Sequence, residues 1–267
     1  MPSAFRLDKI ITQGTVYQMP PDRAYVIQAI GTDATSPAKL VIDGVPTTPI
    51  VSEIAPMYTT GTNLLGPLDL RDLYIVIPPD RKFWVDGPSG CKMRVMGSVV
   101  FLGPGEPIPT NITARYGTQG DVYYTYVTGT YDHGTNTTWN DTIERTLFTL
   151  TPSAIETYTF NNYLGVKLLS ETINPGEFGL RFYYDDRIID MLTRDAGHRG
   201  IDIYSIRHPP STTTDMYYLS FDDSPITVQP NHTLKLTIIN DSGSNLTPST
   251  GKSFAFQLFA IVVYKRS

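Results

Sequence analysis

Apolar and polar residues alternate with a period of two along much of this chain, in short runs cut off by proline, glycine and asparagine. Tyr25–Ile30, Leu40–Gly44, Leu73–Ile77 and Thr233–Ile239 each read as a strand of five to seven residues bounded by turn formers. Such alternation predicts sheets with one face toward a core. One segment departs from it. Asp185-Asp186-Arg187-Ile188-Ile189-Asp190-Met191-Leu192-Thr193-Arg194 starts acidic, ends basic and is followed by Gly197, the polarity expected of a short helix.

A larger pattern lies over the strands. An apolar strand end, a proline turn and a new alternating strand recur at Met19-Pro20-Pro21-Asp22, Ile77-Pro78-Pro79-Asp80, Asn174-Pro175-Gly176 and Gln229-Pro230-Asn231. Proline fixes φ and lacks an N–H, so it marks the point where a strand stops. Pro20 and Pro78 are 58 residues apart, and Pro175 and Pro230 are 55 apart. Met93–Phe101 also lines up with Phe256–Tyr264, both ending in Val-Val-aromatic. These matches predict an internal duplication: two tandem β-sandwich, jelly-roll-like domains in an all-β chain. The first covers residues 1–104 and closes on the strand Lys92–Leu102. A Pro/Gly-rich linker covers 105–120, continuing from Gly103-Pro104. The second covers 121–267 and opens with a Tyr/Thr-rich insert.

Composition fits strands and turns. The 267 residues include 34 threonines, 17 tyrosines, 21 glycines and 21 prolines, with only 18% charged. The net charge of −5 lacks the basic balance of a nucleic-acid binder, so no nucleic-acid partner is expected. The N-terminal stretch has no basic region followed by an unbroken apolar run, and no segment approaches the ~20 apolar residues of a membrane helix. The expectation is a soluble chain without membrane insertion, made in a cytoplasm. The single cysteine, Cys91, excludes an intramolecular disulfide framework.

Catalytic patterns are absent. There is no nucleophile elbow, no zinc-binding His-Glu-x-x-His, no phosphate-cradling loop and no calcium loop. His133, His198, His208 and His232 are scattered, and Asp185, Asp186, Asp190, Asp195 and Asp202 are interspersed with arginines as on a solvated face. No enzyme, cofactor or metal is expected.

Two features exceed ordinary strand chemistry. The insert Asp121–Tyr131 carries Tyr123, Tyr124, Tyr126 and Tyr131, followed by His133 and Trp139. Rings of this kind serve either as a partner or glycan contact or as the half-buried face of a covering strand. The second is a set of Asn-x-Ser/Thr triplets at Asn111, Asn136, Asn140, Asn231, Asn240 and Asn245, which are candidate N-glycosylation acceptors.

The segment Pro225-Ile226-Thr227-Val228-Gln229-Pro230-Asn231-His232-Thr233-Leu234-Lys235-Leu236-Thr237-Ile238 resembles a recurring stretch in jelly-roll virion proteins of phages and archaeal viruses. Two tandem units resemble the double-jelly-roll capsid proteins of tailless icosahedral viruses, and also vertex, turret and decoration proteins. The resemblance implies a non-enzymatic virion structural protein, located in the virion after assembly in the host cytoplasm. Its implied partners are further copies of itself in a symmetric homo-oligomer and other virion proteins. The alternative is a glycan- or receptor-binding adhesin or lectin module on the virion surface. There Tyr131 and Trp139 would be sugar platforms, and His133 or Asn136 would bond hydroxyls of a host surface glycan.

Overall fold

The computed structural model describes residues 4–36, 38–44, 52–54, 68–71, 75–106, 121–160, 164–168, 173–189, 200–204, 217–219, 225–249 and 252–264. All regular elements among them are strands, twenty in number, arranged in four antiparallel sheets. The chain forms two compact units. One comprises Met1–Thr125 with Val263–Arg266, and the other Tyr126–Val262 with Ser267. The greater part of the expected linker, 107–120, lies outside the described residues.

The first unit contains β1 (Ala4–Thr12), β2 (Tyr17–Gln18), β3 (Arg23–Thr32), β4 (Lys39–Ile42), β5 (Ser52–Ile54), β6 (Leu68–Asp69), β7 (Ile75–Ile77), β8 (Lys82–Asp86) and β9 (Lys92–Phe101). One sheet runs β1-β9-β3, with β6 and β7 in succession along the far side of β3. The other runs β2-β8-β4-β5. This interleaving of early and late strands is the order of a jelly roll. Alternation decides which side chains point inward. In β8, Phe83 and Val85 are buried between exposed Lys82 and Asp86. Across the core they join Leu7, Ile11, Ile27, Ile30, Ile75 and Met93. Each such side chain stabilises the unit by about 1.5–3 kcal/mol through burial alone. The β3–β9 ladder slips by one residue between Ile27 and Ala29. Gly97 makes that bulge fit, because a Cβ there would sit 2.0 Å from the Val26 carbonyl oxygen.

The second unit repeats the order with broken strands. Its elements are β10 (Asp121–Asp132), β11 (Glu144–Leu150), β12 (Glu156–Phe160), β13 (Leu164–Leu168), β14 (Phe178–Tyr184), β15 (Arg187–Ile188), β16 (Ile201–Asp202), β17 (Tyr217–Leu219), β18 (Ile226–Val228), β19 (Leu234–Asn240) and β20 (Ser253–Tyr264), except that the start of β10, up to Thr125, and the end of β20, from Val263, fall in the first unit. In one sheet β10 pairs β20, β20 pairs both β12 and β13, and these pair β18 and β17 respectively. In the other, β11-β19-β14 continues into β15 and β16. Substituting β10 for β1, β11 for β2, β12/β13 for β3, β14 for β4 and β19 and β20 for β8 and β9 maps one order onto the other. The chain is all-β and built from two jelly-roll sandwiches of the same topology.

Topology corrects one detail of the repeat. β9 matches β20, and the Pro79-Asp80 turn between β7 and β8 matches the Pro230-Asn231 turn between β18 and β19. Both turns place a positive-φ residue after proline, Asp80 at 59° and Asn231 at 62°. Pro20, however, lies between β2 and β3, where the second unit has Pro152 between β11 and β12. Pro175 lies between β13 and β14, in a different connection. Proline suits any strand end, so its spacing alone pairs the wrong turns.

The expected helix at Asp185–Arg194 is not formed at its start. Asp185 and Asp186 have φ of 47° and 63°, and Tyr184 pairs with Arg187. That is the two-residue hairpin turn that requires positive φ at both central positions, where Asp is tolerated. Residues 190–199 lie outside the described residues.

Candidate partner-contact site

The aromatic segment folds inward and is divided between the units, Tyr123 and Tyr124 falling in the first and Tyr126 and Tyr131 in the second. Tyr123 and Tyr124 on β10 are buried, and Tyr126 and Tyr131 are half-buried. Beyond β10 the chain turns back on itself to seat Trp139, which is only 1% exposed. His133 stacks on the indole with centroids 4.7 Å apart, and Phe178 approaches it at 5.0 Å. The indole Nε1–H donates to the Ile143 carbonyl at 2.8 Å. The Thr137 carbonyl can only accept, so His133 Nε2 is the donor at 3.0 Å, and Nδ1 lies in hydrogen-bond contact with the Tyr131 hydroxyl at 2.9 Å. Trp139 therefore has no open ring face to serve as a sugar platform.

An ion pair completes this cluster. Lys252 Nζ lies 2.7 Å from Glu177 Oε1, with side chains 10% and 6% exposed, and 5.4 Å from the Phe178 ring centre. Glu177 Oε2 accepts the Asn174 N–H at 2.8 Å. Asn240 donates to the Trp139 and Ser244 carbonyls at 2.8 and 2.9 Å. Trp139, Glu177 with Asn174, and Lys252 with Ser244 come from the connections before β11, before β14 and after β19, while Asn240 ends β19 itself, so the cluster fastens three loops to one another. Around it Asn136, Thr138 and Asn140 form an exposed polar rim.

The asparagine triplets fall into three groups. Asn136, Asn140, Asn231 and Asn245 are exposed. Asn240 is fully buried with its amide nitrogen doubly bonded. Asn111 lies outside the described residues.

A second polar group, not singled out from the sequence, joins β11, β14 and β19. Glu144 accepts hydrogen bonds from Arg181, from the Tyr183 hydroxyl at 2.8 Å and from Thr237 at 2.9 Å. Burial pushes the Glu144 carboxyl up, but the Tyr183, Arg181 and Thr237 donors outweigh it and hold the group below its ordinary value. Burial, then the carboxylate itself, raises the Tyr183 hydroxyl. Three donors from two strands converge on a carboxylate of a third, which strand alternation alone does not reveal.

The hairpin turns carry a clasp that recurs in both units. The N–H of Asp43, after β4, donates to the Lys82 carbonyl, and that of Asp185, after β14, donates to the Thr233 carbonyl. In the first unit Arg81 then donates to the Gly44 carbonyl at 2.8 Å. In the second, His232 takes the corresponding place, 2.5 Å from Asp185 Oδ2 and stacked on Tyr184. The His232 contact, and then the Thr233 N–H, hold the Asp185 carboxyl below its ordinary value. Among the described residues no group of carboxylate, imidazole and thiol side chains is arranged to hold a metal ion. Asp190, Asp195, His198 and His208 lie outside those described.

No protein-family model matches the sequence, and no curated protein resembles it closely enough to match. Solved structures do. The major capsid protein P2 of bacteriophage PM2 superposes with a TM-score of 0.51 at 8% identity, over 100% of this chain and 99% of that one. The infectious bursal disease virus Gx strain structure gives a TM-score of 0.29 at 12% identity, over 98% of this chain and 70% of that one. The first likeness establishes a shared fold along the whole chain; the second is too distant to add to it.

Proposed function

We propose that this chain is a structural subunit of a virion, assembling through its sandwich surfaces with further copies of itself and with other virion proteins. The carrying observation is coextension: both jelly rolls together match a phage major capsid protein end to end. Further support comes from the disposition of the aromatic cluster. Its rings and its ion pair are spent on fastening loops, so the second unit presents a rigid polar rim suited to hydrogen-bonded protein contacts. Stability without disulfides also suits assembly in a reducing cell, since Cys91 is buried and free.

The test is concentration-dependent light scattering of the purified chain, with negative-stain microscopy of the concentrated sample. Symmetric oligomers or sheet-like arrays are the expected result. A strict monomer at millimolar concentration, with or without crowding agents, overturns the reading.

A further inference from the structure

β1 ends one sheet of the first unit. Its nine residues pair with β9 without a slip, Ala4 opposite Val100 through Thr12 opposite Lys92, and no described strand occupies its other side. Soluble proteins blunt such an edge with prolines, bulges, charged side chains or a covering loop. Neither a proline nor a bulge interrupts β1, and its charges, Arg6, Asp8 and Lys9, are of both signs. Among them it shows two large apolar residues, Phe5 at 61% and Ile10 at 59% exposed.

The free backbone groups can be assigned. The N–H of Gln13 donates to the Cys91 carbonyl, toward β9, whereas that of Thr12 turns the other way to the Tyr17 hydroxyl at 3.3 Å. Backbone direction alternates along a strand, so Phe5, Leu7, Lys9 and Ile11 bond to β9 while Ala4, Arg6, Asp8 and Ile10 face the open edge. The side chains of these four are all exposed.

From this edge, and resting on the assembly reading above, we propose that β1 pairs antiparallel with β1 of a second copy across a two-fold axis at Leu7. The register follows from charge. A slip by one residue would set edge-facing groups against groups already bonded to β9. Of the registers that remain, centring on Arg6 opposes Arg6 with Arg6, centring on Asp8 opposes Asp8 with Asp8, and centring on Lys9 sets both charges against uncharged residues. Centring on Leu7 places Arg6 opposite Asp8 twice, Ile10 opposite Ala4 twice and Phe5 beside Lys9. The surface is thus complementary to itself, as a two-fold contact requires. One strand is a small contact compared with the ~1,200–2,000 Å² of a stable complex, so it works as one contact among several in a lattice.

The test uses the full chain in three forms, measured by sedimentation equilibrium at high concentration. Arg6→Asp alone and Asp8→Arg alone each put like charges opposite one another twice, and each weakens self-association roughly tenfold or more. An equimolar mixture of the two variants restores both opposite-charge pairs and recovers association near the wild-type level. A folding defect, such as loss of the Arg94–Asp8 ion pair, would not be rescued by mixing. Unchanged association of both variants, or failure of the mixture to recover, overturns the β1 contact and leaves the assembly reading standing. A wild-type chain that never self-associates, or that associates only through a different protein, overturns the contact; if it also forms no higher assembly, both fall.

Discussion

Just before the last strand of each sandwich the backbone does the same thing with opposite side chains. The Gln13 N–H donates to the Cys91 carbonyl in the first unit, and the His133 N–H donates to the Lys252 carbonyl in the second. Next to Cys91 the first unit packs Ala38 and Gly87, so tightly that a Cβ on Gly87 would lie 2.8 Å from Ala38 Cβ and 3.2 Å from Cys91 Sγ. Glu177 and Asp241 flank the start of β14 and the end of β19 as Ala38 and Gly87 flank the start of β4 and the end of β8, and Lys252 precedes β20 as Cys91 precedes β9. One frame closes this end with the smallest side chains available, and the other with a buried ion pair beneath an aromatic stack. The jelly roll specifies where the chain goes, and leaves open whether that space is filled by apolar atoms or by compensated charge. The two solutions differ in what breaks them.

Removing one partner of the ion pair has the largest expected effect. Lys252→Met leaves a buried carboxylate unpaired and destabilises the second unit by about 3–5 kcal/mol, whereas Lys252→Met combined with Glu177→Met recovers most of the loss. Urea unfolding followed by tryptophan fluorescence reads this locally. The chain has two tryptophans, Trp84 on β8 and Trp139, so a Trp84→Phe background reports the second unit alone. If the single and double variants unfold alike, the pair is not a compensated unit.

Gly87→Ala probes the other solution. Overpacking against Ala38 and Cys91 costs about 1–3 kcal/mol. It is seen through Trp84 in a Trp139→Phe background, compared with that background alone. Asp241→Ala, at the corresponding place, lacks that steric conflict because its neighbours already accommodate a side chain.

The smallest effect distinguishes the two turn clasps. Asp185 has its folded pKa lowered by His232 and Thr233. Its contribution is therefore present above the ordinary carboxylate value and is lost as pH falls through the lowered folded value. Arg81 at the matching position donates to the Gly44 carbonyl, so no carboxylate takes part in that contact. In an acid titration followed by amide NMR, the Thr233 N–H, which donates to Asp185 Oδ1 at 2.8 Å, shifts with Asp185, at a midpoint below the ordinary carboxylate range. A midpoint at the ordinary carboxylate value would refute the clasp.

Much of this fold was legible because strands with one buried face must alternate. Leu40–Ile42 within the expected Leu40–Gly44, Ile75–Ile77 within the expected Leu73–Ile77, and the β9–β20 match were readable for that reason. Asp185-Asp186 misled because two acidic residues suit both the first turn of a helix and a hairpin turn with positive φ, and only strand pairing on either side decides. The candidate site was less legible. A period of two states that Tyr123 and Trp139 sit on faces, but not which face is covered. The Lys252–Glu177 pair and the convergence on Glu144 join residues far apart in sequence, with nothing local to announce them.

Asn240 carries a practical consequence. Its side-chain amide is enclosed by the Trp139 and Ser244 carbonyls once the sandwich has closed, yet the same triplet lies open on a nascent chain. Manufacture in a secretory host, where sugars are attached during translocation, would place a bulky oligosaccharide on an amide whose hydrogens the native loops need. Such material would stall before maturity, and a bacterial or cell-free source avoids the obstruction.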